Sequence, residues 1–109
     1  MTDRKQIGRL AELAALVRDQ RLEVLRLAAE RKASTERLIA GLEQPGTDAV
    51  PVVAAARAEL TYQAWAEQRR RELAQILAAQ SVECEKRRDA ARLAFGRAQV
   101  LEKLRHAKK

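Results

Sequence analysis

From Thr2 to Leu42, apolar residues recur three and four positions apart: Leu10, Leu13, Val17, Val24, Leu27 and Leu38, with Ile7, Leu16 and Leu42 widening the stripe. This is the period of one helical face, and no alternation of period two competes with it. Gln20, Arg31 and Ser34 fall on the same stripe, where polar residues weaken a helical seam and fix its alignment. A second pattern of the same period passes through Tyr62, Trp65 or Ala66, Leu73, Ile76, Leu77, Gln80, Cys84, Ala91, Ala94, Ala98 and Leu101. Both predict long helices.

The helix breakers collect between the two patterns, as Gly41, the Pro45-Gly46 pair and Pro51. Proline lacks a donor and disfavours the α conformation of the residue before it, so the first helix must stop there. Asp48 or Thr47 can cap a new helix, and Pro51 is tolerated in a first turn, where its missing N–H has no intrahelical partner. The spacing predicts helix 1 over about 3–42, a turn over 43–50 and helix 2 over about 51–106. At 1.5 Å per residue a helix of roughly 56 residues is about 84 Å long, too long for a globule of this mass. A short connection makes antiparallel neighbours of the helices it joins. With the turn centred near Thr47, facing numbers sum to about 94, setting Leu38 near Ala56, Leu27 near Glu67, Val17 near Leu77 and Leu10 near Cys84. Helix 1 then runs out opposite about residue 90, leaving some 20 residues of helix 2 without a partner. The predicted fold is all-α: one domain over 1–109, a two-helix antiparallel coiled-coil hairpin with a longer, overhanging C-terminal helix.

Composition agrees, since charged residues make up 34% of the chain and only Tyr62, Trp65 and Phe95 are aromatic. Cys84 is the single cysteine, so no intrachain disulfide forms and an oxidising compartment is not indicated. The start, MTDRKQIGRL, offers no apolar segment for a secretory signal. The longest clearly apolar uncharged stretch, LAQILAAQSV over 73–82, is about half of a membrane span. A soluble, cytoplasmic chain without a transmembrane segment is expected. The net charge of +7 is uneven: residues 1–85 carry 13 Lys/Arg and 13 Asp/Glu, while residues 86–109 carry 9 against 2. The whole excess falls on the predicted overhang, where it would attract an acidic partner or surface. There Leu93, Val100, Leu104 and Ala107 share one face, Leu101 lies beside them, and Phe95 projects from nearly the opposite side. Burying a leucine or valine is worth roughly 1.5–3 kcal/mol, so an isolated arm with this stripe seeks a cover.

Catalytic chemistry finds little footing. His106 sits in a basic tail, where solvent exposure outweighs a metal or general-base role. Cys84 occupies a seam position and reads as a small apolar residue. Gly8, Gly41, Gly46 and Gly96 are too scattered to cradle a phosphate. Glu67 with Arg71 and Glu83 with Arg87 are i,i+4 pairs of a solvated helix face. No enzyme activity, cofactor, metal or small-molecule substrate is expected. Arg69, Arg70 and Arg71 are flanked by Glu67 and Glu72 and also read as a solvated face. Tyr62 and Trp65 fit a seam, although a tryptophan that keeps an edge in solvent makes a binding anchor. The basic residues Lys86, Arg87, Arg88, Arg92, Arg97, Lys103, Arg105, Lys108 and Lys109 could follow a nucleic-acid backbone or lie on anionic lipid. Nucleic acid is disfavoured, because there is no recognition module and phosphates cannot satisfy the apolar face between the cations. Docking to protein ranks first.

The segment AFGRAQVLEKLRHAKK over 94–109, with EQRRREL over 67–73, resembles the second helix of the FliJ/YscO group, small helical-hairpin proteins of flagellar and virulence type III export machines. The likeness is to architecture along the whole chain and to sequence mainly in its last third, where a basic helix ends in Leu101–Leu104. The chain is shorter than the family pattern, chiefly in helix 1. The resemblance implies a hairpin similar to the rotor stalk of rotary ATPases, which inserts its paired terminal end into the export ATPase ring, contacts the cytoplasmic part of the export gate and handles export chaperones. Carried over, it makes Arg87, Arg88, Arg92, Phe95, Arg97, Val100, Leu101, Leu104 and Arg105 candidate ring contacts. Tyr62, Trp65, Arg69 and Arg70 become candidate gate contacts. It also implies a cytoplasmic location, peripheral to the inner membrane. The alternative is a generic coiled-coil adaptor or scaffold, dimeric if two overhangs pair; a basic nucleic-acid-binding helix ranks third.

Overall fold

The computed structural model describes residues 2–43 and 52–107. They form two helices, α1 over Thr2–Gly41 (40 residues) and α2 over Val52–Ala107 (56 residues), and no strand occurs among them. The Pro45-Gly46 break, the caps proposed at Thr47 and Asp48, and Pro51 lie outside the described residues, as do Met1, Lys108 and Lys109. Asp3 stands in the first turn of α1 and Arg105 in the last turn of α2, each charge opposing the partial charge of its helix end. Beyond Gly41 the backbone tightens: the Leu42 amide donates to the Ile39 carbonyl at 3.1 Å and the Glu43 amide to the Ala40 carbonyl at 3.2 Å. These bonds satisfy two of the carbonyls that a helix end otherwise leaves open.

The chain divides into two units, Met1–Glu30 with Val82–Lys109, and Arg31–Ser81. In the first, which contains both chain ends, the buried residues are small: Ala11, Ala28, Cys84, Ala91, Ala94 and Ala98. Leu10, Leu13, Val17 and Leu27, expected in the seam, are exposed instead. Along α1 the covered or partly covered positions are Ile7, Gly8, Ala11, Ala14, Ala15, Arg18, Val24, Leu25, Ala28, Lys32, Ala33, Thr35 and Ile39, with Leu42 just beyond its end. Ile7, Val24 and Leu42 keep their expected place, while Ala11, Ala14, Arg18, Ala28 and Ile39 stand one residue, about 100° on a helix of 3.6 residues per turn, past the expected Leu10, Leu13, Val17, Leu27 and Leu38. Gln20, Arg31 and Ser34 are accordingly exposed, off the seam they were expected to share. At Ala11, Ala14 and Ala28 a methyl side chain takes the covered position and the preceding leucine, Leu10, Leu13 or Leu27, is left exposed beside it. In α2 the expected stripe is in phase, with Ala66 covered in preference to Trp65 and Leu77 in preference to Ile76.

The expected C-terminal overhang is absent. Leu10, Leu13 and Val17 line one groove with Leu93, Arg97 and Val100. A second groove joins Ala11, Ala15 and Arg18 to Phe95, Ala98 and Glu102, and a third joins Leu22 and Leu25 to Arg88, Ala91 and Phe95. The basic segment therefore has a partner in the first part of α1, and Leu10 does not face Cys84. The register differs from a sum of 94 because α2 does not pair from its first turn. In the second unit Leu42, just past the end of α1, meets Tyr62 rather than a residue near 52, so the spare length of α2 precedes the pairing. Over that length Val52, at 85% exposure, Val53 and Leu60 are open to solvent.

The core of the Arg31–Ser81 unit is Leu42, Ala66 and Leu73, with Ile39 and Tyr62 packed against it. Ala66 is fully covered, at 0% exposure. Two hydroxyls bond back to their own helix, Thr35 to the Arg31 carbonyl at 3.2 Å and Ser81 to the Leu77 carbonyl at 2.8 Å. The buried Gln80 Oε1 has no hydrogen-bond partner among the described residues, an unmet acceptor of the kind that costs about 1–3 kcal/mol. On the surface Arg26 holds Glu23 at 2.7 Å and Glu30 at 2.9 Å. Its hydrogen bond keeps the Glu23 carboxyl below the ordinary value. The resulting stability is present above the unfolded pKa and lost as pH falls through the folded one, and it is small because the pair is solvated.

The displaced seam has an unusual signature. Ala11→Leu, adding bulk at a position only 3% exposed, is expected to cost about 1–3 kcal/mol, whereas Leu13→Ala, at a position 58% exposed, should cost less than about 1 kcal/mol. Urea denaturation followed by circular dichroism at 222 nm measures both. The opposite ranking would put the leucines back in the seam.

Candidate protein-binding surface

The same rotation that puts alanines between the helices turns large side chains outward on one side. Leu10, Leu13 and Val17 on α1 and Leu93, Arg97 and Val100 on α2 follow three-and-four spacing, so each set forms one stripe along its helix. Together with Ala14, Arg92, Ala94, Gly96 and Leu101 they line an open groove of about 680 Å³. Gly96 leaves space within it, since a Cβ there would meet nothing within 4 Å. No acidic residue lines the groove.

The proposed ring contacts separate into three groups. Arg92, Arg97, Val100 and Leu101 meet at this groove. Phe95, about half exposed, lines the two neighbouring grooves, and Leu104 is exposed beyond them. Arg87, Arg88 and Arg105 are engaged along their own helix, with Glu83 at 2.7 Å, Glu85 at 2.6 Å and Glu102 at 3.9 Å. His106 Nε2 lies 3.0 Å from the same Glu102 carboxylate. Arg92 and Arg97 have no ion-pair partner among the described residues. Of the five arginines proposed as ring contacts, these two are left over.

The proposed gate contacts gather in the other unit and are largely occupied. The Tyr62 hydroxyl donates to the Leu42 carbonyl at 3.0 Å, closing an acceptor at the end of α1. Trp65 rests against it, ring centroids 5.8 Å apart and tilted at 44°, yet keeps 55% exposure. Arg69 pairs with Glu72 at 3.2 Å, Arg70 with Glu67 at 2.9 Å and Arg71 with Glu67 at 3.5 Å, so the arginine triplet is locally balanced. Trp65 is the feature of this group still able to enter a partner.

Sequence reasoning missed the α1 wall of the groove. Its signal was present in the spacing of Leu10, Leu13 and Val17, but that spacing was assigned to the seam. Among the described residues no three His, Cys, Asp or Glu are grouped to hold a metal ion, and no helix is long and apolar enough to cross a membrane. No protein-family model matches the chain, and no curated protein or solved structure matches it.

Tyr62→Phe is expected to lower stability by about 0.5–1.5 kcal/mol through the lost hydrogen bond. Trp65→Ala, removing a mostly solvated ring, should change it by less than about 1 kcal/mol. Thermal and urea melts of the two variants read these changes; an unchanged stability of Tyr62→Phe would mean that the Tyr62 hydroxyl contributes nothing.

Proposed function

We propose that this chain is a non-enzymatic, antiparallel two-helix coiled coil that acts by binding other proteins along its side. The observation that carries this reading is the apolar groove between Leu10–Val17 and Leu93–Val100, which leaves leucine and valine side chains uncovered. The coiled-coil description is supported by sevenfold spacing of covered residues, as in Ala66, Leu73 and Gln80, or Cys84, Ala91 and Ala98. Opposed direction is supported by the order of the shared grooves: Leu10 goes with residues up to Leu101, Leu25 with residues as early as Arg88.

Within that class we propose the role of a stalk in a flagellar or type III export apparatus, meeting the export ATPase ring and the export gate and assisting chaperone and substrate delivery, in the cytoplasm or against the inner membrane. Support comes from the likeness of residues 67–73 and 94–109 to the FliJ/YscO group. The likeness segment includes Arg97, Val100 and Leu101, which line the groove. Contact would then be made by the side of a paired helix rather than by a free tip. Such a protein binds no nucleotide itself and influences an ATPase through unequal contact with its subunit states.

Two measurements test these statements. Ala11→Cys with Ala98→Cys, made in a Cys84→Ser background, should form an intramolecular disulfide on mild oxidation, because both line one groove, whereas Leu10→Cys, made with Cys84 retained, should not bridge to it. The reverse result would restore the other register. Added to a purified type III export ATPase, the chain should be retained by the enzyme and raise its hydrolysis rate, and Val100→Asp, at a position 57% exposed, should weaken that effect by about tenfold, equivalent to about 1.4 kcal/mol. Failure of the unaltered chain to bind removes the export role.

A further inference from the structure

We infer that the groove between the first part of α1 and the last part of α2 is the docking site for an amphipathic helix whose apolar stripe is flanked by aspartate or glutamate. This rests on the protein-binding reading above but not on the export role. The walls fix the shape of the occupant. Leu10, Leu13 and Val17 on one side and Leu93 and Val100 on the other offer apolar contacts over about two helical turns, which suits anchors at i, i+3 or i+4, and i+7. Gly96 fixes where the occupant comes close. Among the described residues nothing comes within 4 Å of a Cβ placed there, and a glycine inside a helix costs about 1 kcal/mol relative to alanine.

Charge selects among occupants. Arg92 and Arg97 border the groove without ion-pair partners among the described residues, while Arg87, Arg88 and Arg105 beside them are each held by a glutamate. The unit that carries the groove has fifteen Lys/Arg against nine Asp/Glu, a net charge of +6. A second copy seated on this face would bring two such surfaces together, and like charges across an interface oppose association. A nucleic acid would satisfy the arginines but leave the leucines in water. An acid-flanked helix answers both requirements, with its apolar stripe on the leucines and its carboxylates on the two guanidinium groups.

The test uses the full chain and two labelled peptides of about 18 residues, long enough to overrun the groove at 1.5 Å per residue. Both have leucines at helical spacing; one is flanked by glutamates and the other by lysines. By fluorescence anisotropy the glutamate peptide should bind at least about tenfold more tightly, and its advantage should shrink as salt screens the pairs. The double variant Arg92→Glu/Arg97→Glu should invert the preference. Gly96→Leu should abolish binding of both peptides while leaving helicity, read by circular dichroism, unchanged or raised.

Equal binding of the two peptides, or a preference that survives charge reversal, would overturn the inference. So would a concentration-dependent dimer in sedimentation that Leu13→Asp abolishes, since the groove would then be a self-interface. Displacement of the glutamate peptide by phosphatidylglycerol vesicles would assign the face to lipid instead. Peptide binding without any effect on an export ATPase removes the export role and keeps the groove. ATPase stimulation by the charge-reversed chain, with no peptide bound, does the opposite.

Discussion

A helix with a single helical neighbour can be covered only along a narrow strip, and the rest of the molecule follows from that limit. Two packed cylinders exclude water completely only from side chains short enough to fit between them. The buried residues here are accordingly Ala11, Ala28, Ala66, Ala91, Ala94, Ala98 and Cys84, with Leu42, Leu73 and Thr35 as the larger members. Among the described residues no large side chain is completely enclosed. Leucines placed in the strip would remove more apolar area per residue, but they would hold the backbones apart. The alanine strip gives up that gain for close approach and dispersion contacts along both helices. Leu10, Leu13 and Val17 are left beside the contact, about half covered.

In the Arg31–Ser81 unit the same limit is met differently. There Leu42, Leu73, Ile39 and Tyr62 surround Ala66, and the tyrosine also supplies a hydroxyl to the Leu42 carbonyl. One side chain thus packs the seam and satisfies a backbone acceptor where α1 ends. This dual use distinguishes Tyr62 from Trp65, three positions on, whose ring leans on the tyrosine but faces water. Sequence spacing allowed either Trp65 or Ala66 at the seam, and the smaller residue took it.

The two helices and the α2 stripe were legible from periodicity because they depend on spacing and on breakers, which a single chain displays directly. The phase of α1 was not. Weighing positions by hydrophobicity selects Leu10, Leu13, Val17 and Leu38, while the structure selects Ala11, Ala14, Arg18 and Ile39, one residue further on. Hydropathy ranks residues by their gain on leaving water, which puts leucine above alanine; close packing ranks them by how near they let a neighbour come, which puts alanine above leucine. The register was lost for a related reason. A sum centred on Thr47 requires α2 to pair from its first turn, yet Val52, Val53 and Leu60 carry no covered stripe. At the candidate surface, the spacing marked Arg92, Arg97, Val100 and Leu101, but their α1 companions could emerge only once the phase was known.

Charge and apolar surface were expected on a free arm, and they occur instead on the flank of a paired one, which alters what the surface can do. A free arm would fold onto its partner and lose conformational freedom as it did so. A stripe already held by a neighbouring helix is ordered before the partner arrives, so less of the contact energy offsets ordering. Arg92 and Arg97 are fixed relative to Leu93 and Val100 by the same turns of α2, and relative to Leu10 and Val17 by the seam beneath them. Discrimination between an acidic and a basic helix then depends on two positioned cations rather than on the overall charge of a tail. The alanines between the first part of α1 and the last part of α2 are therefore also what turns leucines and arginines of both segments toward one groove.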